Sequence, residues 1–324
     1  MRKNPYKIGK SEGRFASFLK RSGIKLTLKG REGRFLRIAL ISLGAIILLI
    51  ALFRFLKPET QLMSSVEIRR IESRGMLNVG VRSDMPGFCE EGEGLEAELA
   101  KLLAKRILPD SSDPCKLIEC TPKSISAKLS DGTVDVAIAL LPRGSVSSAV
   151  YSYPYFTDRI RLVTLLPENI AKQPHEMVIG YIPETSAGSV FASYVARVTS
   201  TGEQSIIDRL LRRPKPTPDP ATVVTMETRK YGSYDELIAA LSRGDVDSVV
   251  MSGAYVYKYF EAEAEETGAP YFLCEADVGS LDYCIVSYSD QPALTQIADM
   301  LIYEMQESGL MHELVNKYVP AFAR

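Results

Sequence analysis

Few side chains in this sequence are of kinds that do covalent chemistry, and their spacing argues against most of it. The two histidines, His175 and His312, lie far apart without Cys/His partners at metal-ligand spacing, so neither a metal site nor a histidine-dependent active site is expected. Gly92, Gly94 and Ala97 match the G-x-G-x-x-A form of a dinucleotide-binding turn. They stand too far from the first predicted strand, and Glu90, Glu91 and Glu93 would face the pyrophosphate, so no nucleotide or other cofactor is expected. Arg143 lies near the C-terminal end of a predicted strand, where open α/β sheets bind ligands, and is the candidate cation there. A guanidinium there would hold a carboxylate by paired charge-assisted hydrogen bonds, which is the chemistry of binding rather than of bond breaking. Carboxylates abound, which keeps an enzyme among the readings.

The elements that would position such a residue are legible in the apolar pattern. Leu77, Val79 and Val81 alternate as in a strand, and Leu95, Leu99, Leu102 and Leu103 recur at helical spacing. Cys115 to Cys120 and Ile125 to Leu129 make a short strand and a short helix, and Val134 to Leu141 is the apolar run of a strand buried on both faces. The order recurs with a strand at Met177 to Ile182, a helix from about Ser186, a strand near Val223 to Glu227, a helix from Tyr234 to Arg243 and a strand at Val246 to Met251. A heptad repeats at the same place in both units: Leu129 to Asp135, LSDGTVD, matches Leu241 to Asp247, LSRGDVD, at five of seven positions. Each copy ends a helix, turns on a glycine and enters a buried strand. The fold class is therefore α/β, two doubly wound lobes. A late strand, Tyr283 to Tyr288, and a helix from Ala293 to about Tyr318 would return to the first lobe. The chain then crosses between the lobes twice, as a two-strand hinge. The run Pro214 to Pro220 reads as a surface loop.

The N-terminal region differs in kind. Residues 1 to 37 carry twelve Lys or Arg against two Glu, while the remainder carries 27 against 38, so a basic head precedes an acidic body. Sixteen uncharged residues, Ile38 to Phe53, follow, and with flanking Phe and Leu the apolar stretch reaches roughly 22 residues, enough to span a bilayer. The basic flank predicts a cytoplasmic N-terminus and an extracytoplasmic body. Neither a small-x-small cleavage site nor a Cys for lipid anchoring stands near the exit. A polybasic stretch beside a membrane helix reads as an orientation signal, so no nucleic acid partner is expected. The expected division is a basic segment 1–37, a transmembrane helix 38–56, a tether 57–69, lobe 1 over 70–160 plus 282–324, and lobe 2 over 165–275. All five cysteines fall on the expected outside; Cys115 and Cys120, on opposite faces of one strand, should not pair with each other.

Three stretches in order carry a resemblance: RGMLNVGVRSDMPGF at Arg74 to Phe88, GLEAELAKLLAKRI at Gly94 to Ile107 and YSYPYF at Tyr151 to Phe156. Together they resemble solute-binding protein family 3, of the periplasmic binding protein-like II fold, which serves polar amino acid importers. The resemblance runs from about Arg74 to Val319. It implies a small polar solute as ligand, permease subunits of an ABC transporter as partners, and binding without turnover. It also implies a ligand set: Met85 and Phe88 where the family has aromatic platforms, with Phe88 equally suited to the core; Pro142 and Arg143 near the family's anion-gripping Arg; and Thr185 and Ser186 after Glu184, where hydroxyls and helix amides receive a carboxylate or simply cap the helix. The family Asp that holds an ammonium aligns with the neutral Ser252, so a cationic ligand end would lean on Asp84 or Glu184. Neighbouring first and second strands, usual in this fold, would bring Cys89 and Cys120 together as a disulfide. Two alternatives stand: a sensor signalling to a partner, and a dehydratase- or glycosidase-like enzyme on the same scaffold.

Overall fold

The computed structural model describes residues 42–47, 58–199, 225–261, 264, 268 and 270–322. The chain divides into two units, Met1–Gln61 and Leu62–Arg324. In the first, 42–47 is helical, and no helix among the described residues is long and apolar enough to cross a membrane. The basic segment 1–37, most of the span expected over 38–56 and the Pro214–Pro220 run lie outside the described residues.

The second unit takes in part of the expected tether. Val66–Arg74 (α1) is a capped helix: Ser65 Oγ accepts the Ile68 amide at 3.4 Å, and Gly75 closes the other end at φ 72°. Ile68 and Ile71, three apart on one helix face, are fully buried, and Glu67 accepts the amide of Ala293 at 3.1 Å.

From there the chain runs through β1 (Leu77–Val81), a short hairpin of β2 (Asp84–Met85) and β3 (Cys89–Glu90), α2 (Leu95–Ile107), β4 (Cys115–Glu119), α3 (Ile125–Ser130) and β5 (Val136–Ala137). β1 lies between β4 and β5, parallel to both. β6 (Ala149–Thr164) leads to β7 (Val178–Tyr181), α4 (Ser186–Thr199), β8 (Glu227–Lys230), α5 (Tyr234–Ser242), β9 (Ser248–Ser252) and the short α6 (Gly253–Val256). β7 lies between β8 and β9, again parallel to both. β10 (Phe272–Leu273), β11 (Ser280–Tyr288), α7 (Pro292–Ser308) and α8 (Leu310–Tyr318) complete the unit. The strand order is β4-β1-β5-β11-β6-β9-β7-β8, with β10 paired to β6.

The two parallel sets repeat each other down to single atoms. Gly132 and Gly244 turn at φ 75° and 74°. Asp135 then accepts the Asn78 amide at 2.8 Å and Asp247 the Val178 amide at 2.7 Å, so each carboxylate clasps the start of the central strand of its set. A Cβ on Gly80 would press on Val134 and the Cys120 sulfur, and one on Gly180 on Leu237, Tyr231 and Val246, so each central strand needs a glycine where the valine of its heptad leans on it. The repeated heptad is thus a turn, a clasp and a packing contact.

β6 joins the sets. Ala149–Arg159 pairs antiparallel with β11, and Ile160–Val163 antiparallel with β9. Pro154 sits opposite Cys284 at a register shift, the kind of irregular position where a strand tolerates a proline.

Three expectations are corrected here. The strand near Val223 to Glu227 is β8, starting at Glu227, because its ladder runs from Val178↔Glu227 to Tyr181↔Lys230. Val134–Leu141 is buried throughout but pairs as a strand only at Val136 and Ala137. The single C-terminal helix is two, broken where Gly309 takes φ 80°.

Candidate functional site

Parallel strands present their C-terminal ends on one edge of a sheet, and here the two sets turn those edges toward one another. Arg82 follows β1, Ala139–Pro142 follow β5, Glu184–Ala187 join β7 to α4, and Ser252 ends β9. All of these line one cavity of about 210 Å³, walled also by Ser145, Tyr234, Tyr255, Leu281 and Tyr283. That is room for a small molecule.

The cavity's cation is Arg82, 9% exposed. Its Nε and Nη2 donate to the two oxygens of Asp84 at 3.0 and 2.9 Å, and Nη1 donates to the Tyr255 hydroxyl at 2.6 Å. Burial opposes the charge, but the bonds to Asp84 and Tyr255 outweigh it, and the guanidinium pKa is raised. Asp84 accepts from Lys258 as well, at 2.8 Å; despite partial burial its carboxyl is held at about 2. A guanidinium has five N–H donors, so two of Arg82's remain, one on each Nη, for a ligand carboxylate. Opposite lies the first turn of α4, whose amides have no intrahelical acceptor and favour an anion. Thr185 prepares that turn: its Oγ accepts the Gly188 amide at 3.0 Å and donates to the Ile182 carbonyl at 2.8 Å.

Leu140, in the wall, takes φ 52°, a left-handed conformation rare for a branched side chain. Its amide is held at 2.7 Å by Glu96 Oε1, which also accepts from Tyr155. Glu96 is fully buried on α2 and its Oε2 has no partner; burial pushes the carboxyl up to about 7 against those bonds and the pull of Arg82.

Of the residues expected at the site, Pro142, Glu184, Thr185, Ser186 and Ser252 line the cavity. Arg143 does not. It is exposed, donates to the Ser152 carbonyl at 2.8 Å and lies over the Tyr151 ring. Phe88 is fully buried, edge-on to Phe156 and Phe322 at 5.3 and 5.8 Å, and Met85, in the hairpin itself, is fully buried; both serve the core. Asp84 stands outside the lining with its charge taken up by Arg82 and Lys258. The cavity also holds Arg82, Tyr234, Tyr255 and Tyr283, which the sequence pattern does not single out. Arg82 had a signal, being the charged residue that follows the first strand directly.

All five cysteines are free, so the expected Cys89–Cys120 bridge is not formed. Cys89 packs in the core that holds Leu95 and Leu99 of α2, whereas Cys120 packs in a separate one with Ile125 and Leu129 of α3. Among the described residues no cluster of His, Cys, Asp and Glu is placed to hold a metal ion.

No known family profile matches the chain. Solved structures share its mixed α/β fold, that of the periplasmic binding protein-like II class. A mutant of ArgBP from T. maritima is 18% identical, with a TM-score of 0.52 over 78% of this chain and 99% of its own. The solute receptor for L-cysteine of Neisseria gonorrhoeae is 16% identical, with a TM-score of 0.53 over 78% and 93%. An ancestral amino acid-binding protein, described as a precursor of cyclohexadienyl dehydratase, is 16% identical, with a TM-score of 0.52 over 78% and 98%.

Proposed function

We propose that this chain captures a small polar solute bearing a carboxylate and hands it to an ABC-type importer, without turnover. The body works outside the membrane, tethered to the bilayer through residues 38–56 with the basic segment 1–37 in the cytoplasm. The two parallel sets act as lobes, about 70–160 with 282–324 and about 165–275, hinged at β6 and β11 and closing over the ligand. One observation carries the reading: a cavity with room for a small molecule where strand ends of both sets meet, with a buried guanidinium that keeps two donors on one side and the first turn of α4 on the other. The amino-acid-binding proteins that share the fold support a solute of that class.

Thermal-shift screening of amino acids, dicarboxylates and short peptides tests this, followed by titration with the best binder. Arg82→Gln should cost about 2–5 kcal/mol of its affinity, as for loss of one partner of a desolvated charge pair. Arg143→Ala should leave it unchanged, since that side chain faces away from the cavity. Tight binding that survives Arg82→Gln would overturn the assignment.

A further inference from the structure

Behind one wall of the cavity stands a carboxyl that does not line it. Glu96, in the first turn of α2, is 0% exposed; its Oε1 accepts both the Leu140 amide and the Tyr155 hydroxyl, while its Oε2 has no partner. Leu140 lines the cavity, so one residue joins this carboxyl to the wall. Among the described residues the cation that acts on Glu96 is Arg82, the cavity's own guanidinium. No charged group of β4, α7 or α8, which also pack on α2, is among those that act on it.

The other titratable groups around it keep their charge near neutral pH. Tyr155 on β6 is held well above the ordinary phenol range by burial and by Glu96 itself. Cys89 on β3 is pushed up to about 11 by burial and by the same carboxyl, and Arg82 is raised. Glu96 alone of this group, at about 7, changes charge there. Its Oε1 can accept the Leu140 amide whether or not Oε2 carries a proton, so the wall keeps its shape and only the charge behind it changes.

A buried carboxyl is costly to ionise, and Arg82 is what offsets that cost. An anion seated on Arg82 uses the same positive charge and adds a second negative one. The ionised form of Glu96 then loses its support, and the neutral form loses nothing.

We propose that capture is proton-linked through Glu96: its carboxyl takes up a proton as the anionic solute seats on Arg82, so the solute is held tightly where Glu96 is neutral and released more readily where it is ionised. The inference rests on the capture reading and adds its regulation. Binding linkage is reciprocal, so the factor by which the solute tightens the proton is the factor by which the proton tightens the solute.

The test titrates the full chain by calorimetry with each of the twenty L-amino acids and with succinate, glutarate and glycylglycine, then follows the tightest binder from pH 5.5 to 9 in wild type and Glu96→Gln. Glutamine keeps the acceptor for Leu140 and stays neutral throughout. Relative to the variant, wild-type affinity should fall about tenfold across that range, as for two charges coupled through a partly polar interior. Ionisation of the probe, and of carboxyls shared by both proteins such as Asp158, which accepts the Tyr283 hydroxyl at 3.0 Å, drops out of the ratio. At pH 7.5, titration in two buffers of different ionisation enthalpy should show wild type taking up about half a proton more per bound probe than the variant. Should Glu96→Gln fail to fold, Tyr155→Phe decides: it removes a donor that favours the ionised form, so the fall should move to higher pH by about one unit. A ratio that stays flat or rises with pH, or a fall left in place by Tyr155→Phe, overturns the proposal. If a probe binds in an Arg82-dependent way with that flat ratio, this inference fails while the capture reading stands. If no probe binds, both fail.

Discussion

Replacing Glu96 by Gln should abolish a pH dependence of stability that the wild-type chain carries between about pH 4.5 and 7. Burial holds this carboxyl protonated to about pH 7 in the folded chain, against an ordinary value of 4.5. Between those values the folded state binds more protons than the unfolded one, so raising the pH favours unfolding. The stability is fully present below pH 4.5 and is lost as the pH rises through about 7. At 1.36 kcal/mol per unit, the interval amounts to roughly 3 kcal/mol. Glutamine keeps the size of the side chain and the oxygen that holds the Leu140 amide, but has no charge to desolvate. Equilibrium denaturation of wild type and variant at pH 4.5, 6, 7 and 8 reads the effect as a difference. Groups common to both, such as Asp84 and Asp158, cancel in it. That difference should move by about 3 kcal/mol in favour of Glu96→Gln from pH 4.5 to 8. A flat difference, or one moving the other way, would mean that Glu96 ionises normally and would refute the reasoning. Tyr155→Phe removes a donor that lowers the carboxyl's pKa, so it should carry the slope to higher pH.

Gly188→Ala would put a methyl group 1.9 Å from the Ile182 carbonyl oxygen, a backbone atom that cannot swing aside. A loss of about 3 kcal/mol on denaturation is expected, together with weaker ligand binding, since α4 would have to move; wild-type stability would refute that packing. Asp247→Ala should cost about 1–3 kcal/mol through the lost bond to Val178. Asp135→Ala should cost more, because Arg74 also loses its partner there; equal losses would show that the Arg74 pair contributes nothing. Five thiols per chain should react with a thiol reagent in denaturant without prior reduction, and fewer than five would reveal a bridge.

What the sequence determined by itself is what neighbouring residues decide together. A period of two or of 3.6, a glycine after a helix and a buried run after the glycine are all read within a dozen positions. They sufficed for the α/β class, for the pairing of the two units through LSDGTVD and LSRGDVD, and for the turn at Thr185 and Ser186 that opens α4. Even the repeat showed only its outline. That Asp135 and Asp247 clasp Asn78 and Val178 depends on strands 57 and 69 positions away in the chain.

Only the tertiary structure decided which charges face the cavity. Arg82 and Arg143 both follow a predicted strand, and nothing local separates them. The first turns inward because Asp84 and Tyr255 hold its guanidinium, and Tyr255 is 173 positions distant. Arg143 turns outward onto Ser152 and Tyr151. Phe88 is drawn into the core by Phe156 and Phe322, which the sequence does not place beside it. Asp158 was hidden most completely. Side chains alternate along a strand, so a shift of one residue moves every one to the other face. On β6 the pairing with β11 shifts near Pro154, four positions before Asp158, and only that register turns its carboxylate inward to Tyr283 and Ala254 behind the cavity wall.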